Sequence, residues 1–141
     1  MSDQNAMLLL EPDPLLRRTV VMTARSIGLA QINEASSVGI ASRLLRERAF
    51  DGVILALDFG DRKYDQYDLT LLDHIRTGDS ASKPDIPIAV MLDHCDAAFF
   101  HELRLRNVQR VILKPFRARS LLDTFAQFCG GMEQSGDALA A

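Results

Sequence analysis

The chain has 141 residues, of which 48% are hydrophobic and 25% charged, and its net charge is -3. That length suits one domain with one core, and an acidic balance argues against general affinity for nucleic acid. No apolar run approaches the roughly 18 residues of a membrane span, and the start Met1-Ser2-Asp3-Gln4-Asn5 lacks the basic and apolar segments of a secretory signal.

In chain order, Met7 to Leu10 is a continuous apolar run, as expected of a strand covered on both faces. Asp13-Pro14 then opens a helix, because Asp13 can cap free amides and Pro14 suits the first helical position. Leu15, Leu16, Thr19, Val20, Met22 and Ile27 follow at helical spacing up to Gly28. Ala30 to Ala35 reads as a weak second strand. Ser37 caps a second helix that runs to about Ala49, with Ile40, Leu44 and Leu45 inward, and Val53 to Leu57 is a strongly apolar third strand. A polar stretch from Asp58 to Tyr67 leads to a third helix, Asp68 to Arg76, and a Gly/Ser/Lys/Pro-rich loop covers Thr77 to Asp85. Ile86 to Leu92 is the fourth strand, with Pro87 near its start, where a missing amide is tolerated. Asp96 caps a helix to about Arg106, Arg110 to Leu113 is the fifth strand, and Lys114-Pro115-Phe116 turns into a last helix, Arg117 to Phe128. Gly130-Gly131 ends it.

Five apolar strands alternating with five helices are best buried as a parallel sheet covered on both sides. Right-handed crossovers favour the flavodoxin-like strand order 2-1-3-4-5, with any site at the carboxyl ends of the strands. One domain over 6–129 is expected, with flexible segments at 1–5 and 130–141. Cys95 and Cys129 belong to no ligand spacing and read as reduced thiols of a cytoplasmic protein. His74, His94 and His101 lie on different elements, without ligand spacing. A nucleophilic pairing of Cys95 with His94 is disfavoured, because adjacent side chains rarely aim at each other.

The strand ends present Glu11-Pro12-Asp13, Ala56-Leu57-Asp58, Leu92-Asp93 and Lys114-Pro115. Together with Pro14-Leu15-Leu16-Arg17, the Phe50-Asp51 entry to strand three and Lys114-Pro115-Phe116, they resemble the two-component response-regulator receiver family, CheY-like, over roughly residues 6 to 129. The resemblance implies a signalling module and not an enzyme. In a typical member two acids after strand one and an acceptor aspartate after strand three hold magnesium. A histidine kinase donates the phosphoryl group, a strand-five lysine neutralises it, and a strand-four hydroxyl and a strand-five aromatic residue relay the change. Clustered carboxylates favour a divalent cation, and phosphoryl transfer needs positive charge and alignment.

Against that pattern this member is degenerate. Glu11 stands for the first acid, but Pro12 occupies the second, Ala56 the acceptor, Leu92 the hydroxyl position and Val111 the aromatic switch, so only Lys114 and its cis-prone Lys-Pro step are intact. Asp58 shares the strand parity of Ala56 but lies about 6.6 Å further on. It is a substitute acceptor only through a shifted register, with Glu11 and Asp13 around a magnesium ion. Otherwise no cofactor is expected, and Asp13 serves as a helix cap.

The charges are two-sided. Arg104, Arg106, Arg110, Lys114, Arg117 and Arg119 stand against Glu102 alone between 101 and 119, whereas Asp51, Asp58, Asp61, Asp65, Asp68 and Asp73 outnumber Arg62 and Lys63 between 51 and 74. Arginine forks suit carboxylates and phosphates. Three readings follow. The first is a single-domain receiver-like protein that binds a sensor kinase, a downstream signalling protein or a second copy through its helix 4–strand 5–helix 5 face, without phosphorylation at the usual position. The second is a working phosphorelay acceptor at Asp58 with magnesium. The third is an arginine-based receptor, centred on Arg117 and Arg119, for an anionic nucleotide such as a cyclic dinucleotide. Nucleic acid and membrane are not expected partners.

Overall fold

A computed structural model describes residues 6–28, 31–57 and 69–130. Its elements are β1 (Ala6–Leu10), α1 (Pro14–Ser26), β2 (Gln31–Ala35), α2 (Val38–Glu47), β3 (Gly52–Ala56), α3 (Thr70–Arg76), β4 (Ile88–Leu92), α4 (Ala97–Leu105), β5 (Arg110–Leu113) and α5 (Ala118–Gly130). All four strand pairings are parallel, and the sheet order is β2-β1-β3-β4-β5, the expected one. The segments expected to be flexible lie outside the described residues, apart from Gly130 at the end of α5. No helix among the described residues is long and apolar enough to cross a membrane.

Strand alternation splits the core into two layers. Leu8, Leu10, Val53, Leu55, Leu57, Val90 and Leu92 pack with α2, α3 and α4. Met7, Leu9, Ile54, Ala56, Ala89, Met91 and Ile112 face the other way, against α1 and α5. Every residue of β3 and β4 is buried, which is why those segments read as unbroken apolar runs and not as alternating ones.

The helix starts follow local chemistry. The Asp13 side chain accepts from the amides of Leu15 and Leu16, Ser37 from that of Ile40 and Asp96 from that of Phe99. Several boundaries differ from expectation. Helix α2 stops at Glu47 and not near Ala49, because Arg48 turns to extended backbone and its guanidinium donates to Asn33 Oδ1 at 2.6 Å. Strand β4 starts at Ile88. Pro87 has no amide to donate, yet its carbonyl accepts from Val53 at 3.1 Å. Strand β3 ends one residue early, although Leu57 still donates to the carbonyl of Met91. Ala30, Asp68 and Gly131, at the expected bounds of β2, α3 and α5, lie outside the described residues.

The register aligns the strand ends. Leu10 pairs with Ala35 and Leu55, Ala56 with Met91, and Leu92 with Leu113. Glu11 then donates its amide to Ala35 and Lys114 its amide to Leu92. Glu11, Ala56 and Lys114 are thereby gathered at one edge of the sheet. Each continues the strand parity of the layer that faces α1 and α5.

Candidate functional site: a strand-end pocket

Glu11 and Lys114 meet at that edge. Nζ of Lys114 lies 2.9 Å from Oε1 of Glu11, with the lysine side chain 11% exposed and the glutamate 2%. The approach is a charge contact and not an aligned hydrogen bond, since no donor meets that oxygen at good geometry. The other oxygen, Oε2, accepts the amide of Asp13 at 2.9 Å. Burying a carboxylate this deeply is costly unless it is paired and hydrogen-bonded, and here the strand-five ammonium and a loop amide share that task. Arg17 braces the same turn. Its Nη1 donates to the Glu11 carbonyl at 2.8 Å, and its Nε lies 3.2 Å from Oε1 of Glu34 on β2.

The other expected pocket residues take different places. Ala56 is fully buried and packs in the layer facing α1 and α5. Pro12 and Asp13 are exposed, and Oδ1 of Asp13 accepts the amides of Leu15 and Leu16. Asp13 is therefore a helix cap through Oδ1. Leu92 is fully buried, and Val111 packs half-buried against the same layer, across the sheet from Glu11 and Lys114. Asp58, the possible substitute acceptor, lies outside the described residues.

The described residues do not by themselves complete a magnesium site. Such an ion asks for oxygens in near-ideal octahedral array. One oxygen of Glu11 faces an ammonium and the other an amide, Oδ1 of Asp13 caps its helix, and Pro12 and Ala56 offer no side-chain oxygen. Among the described residues no three His, Cys, Asp or Glu side chains are placed to hold a metal.

The basic residues do not form one uniform face. Arg104, Arg117 and Arg119 are exposed, and Arg110 is half-buried on β5. Arg104 lies over the Phe100 ring at 5.9 Å, within cation–π range. A shallow groove runs between Phe100, Arg104, Val108 and Val111. Phe100, Leu105 and Leu113 are exposed apolar residues of α4 and β5. Arg106 is different, because carboxylates of this chain already hold its guanidinium. Its Nε donates to Oδ1 of Asp73 at 2.7 Å and its Nη1 to Oε1 of Glu102 at 3.0 Å, and these carboxylates hold its pKa above the ordinary arginine value.

Arg76 was invisible as a key residue from sequence. It donates to four backbone carbonyls, those of Pro84, Ile86, Arg106 and Asn107. Burial lowers its pKa, partly offset by Asp85. Cys95 is half-buried, and burial, followed by the Asp96 charge, raises its thiol pKa. That disfavours the nucleophilic thiolate.

No family model matches this sequence, and no curated protein is similar to it. Solved structures are. The chemotaxis protein CheY4 of Vibrio cholerae is 16% identical with a TM-score of 0.74, covering 89% of this chain and 98% of its own. The non-phosphorylated HemR receiver domain from Leptospira biflexa is 21% identical with a TM-score of 0.75, covering 89% and 94%. A two-component signal receiver domain from Clostridium thermocellum is 16% identical with a TM-score of 0.75, covering 89% and 97%. With five parallel strands in this order and these structural neighbours, the chain has the CheY-like fold of response-regulator receiver domains.

Proposed function

We propose that this chain is a receiver-like signalling module that acts by docking a protein partner and not by accepting a phosphoryl group at the usual strand-three position. The observation that carries this reading is the pocket itself. A buried methyl stands at Ala56, and the lysine that would neutralise a phosphoryl group is set against Glu11 at 2.9 Å. Glu11 is no substitute nucleophile, because it is 2% exposed and a phosphodonor has no access to it. The partner is acidic, a sensor kinase or a downstream signalling protein. It meets the α4–β5–α5 face, where exposed Phe100 and Leu105 supply apolar anchors and Arg104, Arg117 and Arg119 supply charge.

Incubating the full chain with acetyl phosphate and magnesium, followed by intact and peptide mass measurement, tests the reading. The expected result is an unchanged mass. A stable phosphoryl adduct on Asp58 overturns it and installs the phosphorelay reading in its place.

A further inference from the structure

Helices α3 and α4 exchange arginines. Arg76, the last residue of α3, reaches across to the end of α4. Its Nε donates to the carbonyl of Arg106 at 2.7 Å and its Nη2 to that of Asn107 at 2.9 Å. These are the carbonyls where α4 stops, with Asn107 in the left-handed region at φ 57°. A helix end leaves such carbonyls without intrahelical partners and gathers partial negative charge there, so a guanidinium is a fitting cap. The same group also donates from Nη1 to Pro84 and Ile86, at 2.6 and 2.7 Å, tying the loop before β4 into the joint.

In the reverse direction Arg106, the residue after α4, reaches to α3. Its Nε donates to Oδ1 of Asp73 at 2.7 Å, with Nη2 to Oδ2 at a longer 3.5 Å. Its Nη1 is held by the carbonyl and carboxylate of Glu102, each at 3.0 Å. A lone exposed ion pair contributes little. Here the guanidinium side chain is 21% exposed and engages two carboxylates, those of Asp73 and Glu102, which are themselves half exposed, so the charge-assisted bonds add to one another. The two arginines cross, so α4 cannot slide or rotate on α3 without breaking both sets of bonds.

We infer that this reciprocal arginine clasp is a fixed latch, holding α4 in one register and so presenting the α4–β5 surface in one conformation whatever the charge in the strand-end pocket. The inference concerns the free chain and does not need the docking partner to be known.

Hydrogen–deuterium exchange on the full chain tests it, comparing wild type with Arg106→Gln and Asp73→Asn, and wild type with and without beryllofluoride and magnesium as a phosphoryl mimic. Both variants should exchange the amides of α4, residues 97–105, about tenfold faster or more, with β1 and β3 unchanged. Wild-type α4 should not respond to beryllofluoride. Unchanged α4 exchange in both variants overturns the latch, as does equal acceleration in β1 and β3, which would mark a global loss of stability. A beryllofluoride-dependent change in wild-type α4 also overturns it. Exchange in the two variants is independent of the mass measurement on phosphodonor-treated protein, so the latch can fail while the docking reading stands; a beryllofluoride response in wild type, which needs an acceptor carboxylate, counts against both.

Discussion

At the scale of single residues, the pocket turns on one buried ion pair. Removing Lys114 while leaving Glu11 strands a carboxylate that is 2% exposed, with a single amide for company on its other oxygen. Breaking a buried pair in this way costs about 3–5 kcal/mol, whereas replacing both partners with neutral groups of similar size is often close to neutral. Lys114→Ala should therefore lower unfolding free energy by about that amount in urea titration, and Glu11→Gln combined with Lys114→Met should cost clearly less. If Lys114→Ala costs under about 1 kcal/mol, the pair is effectively solvated and Glu11 is not held by it. Only part of this was legible in the chain. Glu11 and Lys114 could be placed at neighbouring strand ends from topology, and their pairing could be expected. The capping role of Asp13 was legible too, since an Asp-Pro step at a helix start is a capping signal. The roles of Arg76 and Arg106 were not. Glu102 and Arg106 sit four apart across the end of one helix, a spacing that announces a pair, but Asp73 and the carbonyls that Arg76 grips come from other segments, and no local pattern encodes such a contact.

At the scale of elements, β3 and α5 meet at a residue that sequence reasoning passed over. A Cβ on Gly52 would stand 2.8 Å from Cδ2 of Phe128 and 2.9 Å from Sδ of Met7. Gly52 is thus required by the close approach of a side chain from α5 to the first residue of β3, and no unusual backbone angle is involved. Gly52→Ala should cost about 1–3 kcal/mol through overpacking, read from the urea midpoint at constant slope. Phe128→Ala in the same chain should recover part of the loss, because the two sites share the clash. Additive losses would mean that Phe128 is not what excludes the methyl. The strands and caps themselves were readable, since an apolar run covered on both faces and an Asp or Ser before a helix are local signals. The element ends were less so. Helix α2 ends where Arg48 finds Asn33 on another strand, and β4 begins where Pro87 withholds an amide; the first of these is settled by a tertiary partner and not by propensity.

At the scale of the whole molecule, a conducting receiver needs a charge placed at the pocket and a path by which α4 and β5 respond to it. On the proposed docking reading that path is interrupted more than once. Ala56 supplies no oxygen, Leu92 is a fully buried apolar side chain with no hydroxyl to draw toward a phosphoryl group, and Val111 packs half-buried in the opposite layer with no ring to swing. Restoring the acceptor alone should therefore leave the surface unmoved. Ala56→Asp puts a carboxylate at a position of 0% exposure whose nearest cation by strand order, Lys114, is already set against Glu11. An inadequately satisfied buried polar group costs about 1–3 kcal/mol and a charged one more, so the variant should unfold at lower urea than wild type. Its amide spectrum over residues 97–113, recorded with and without acetyl phosphate and magnesium, should stay the same even if the new aspartate is modified. A ligand-dependent shift of the Phe100 to Val111 amides would mean that one carboxylate is enough to reconnect pocket and face. The clasp between α3 and α4 would then be a joint that yields to charge, and docking by this chain would be a regulated event.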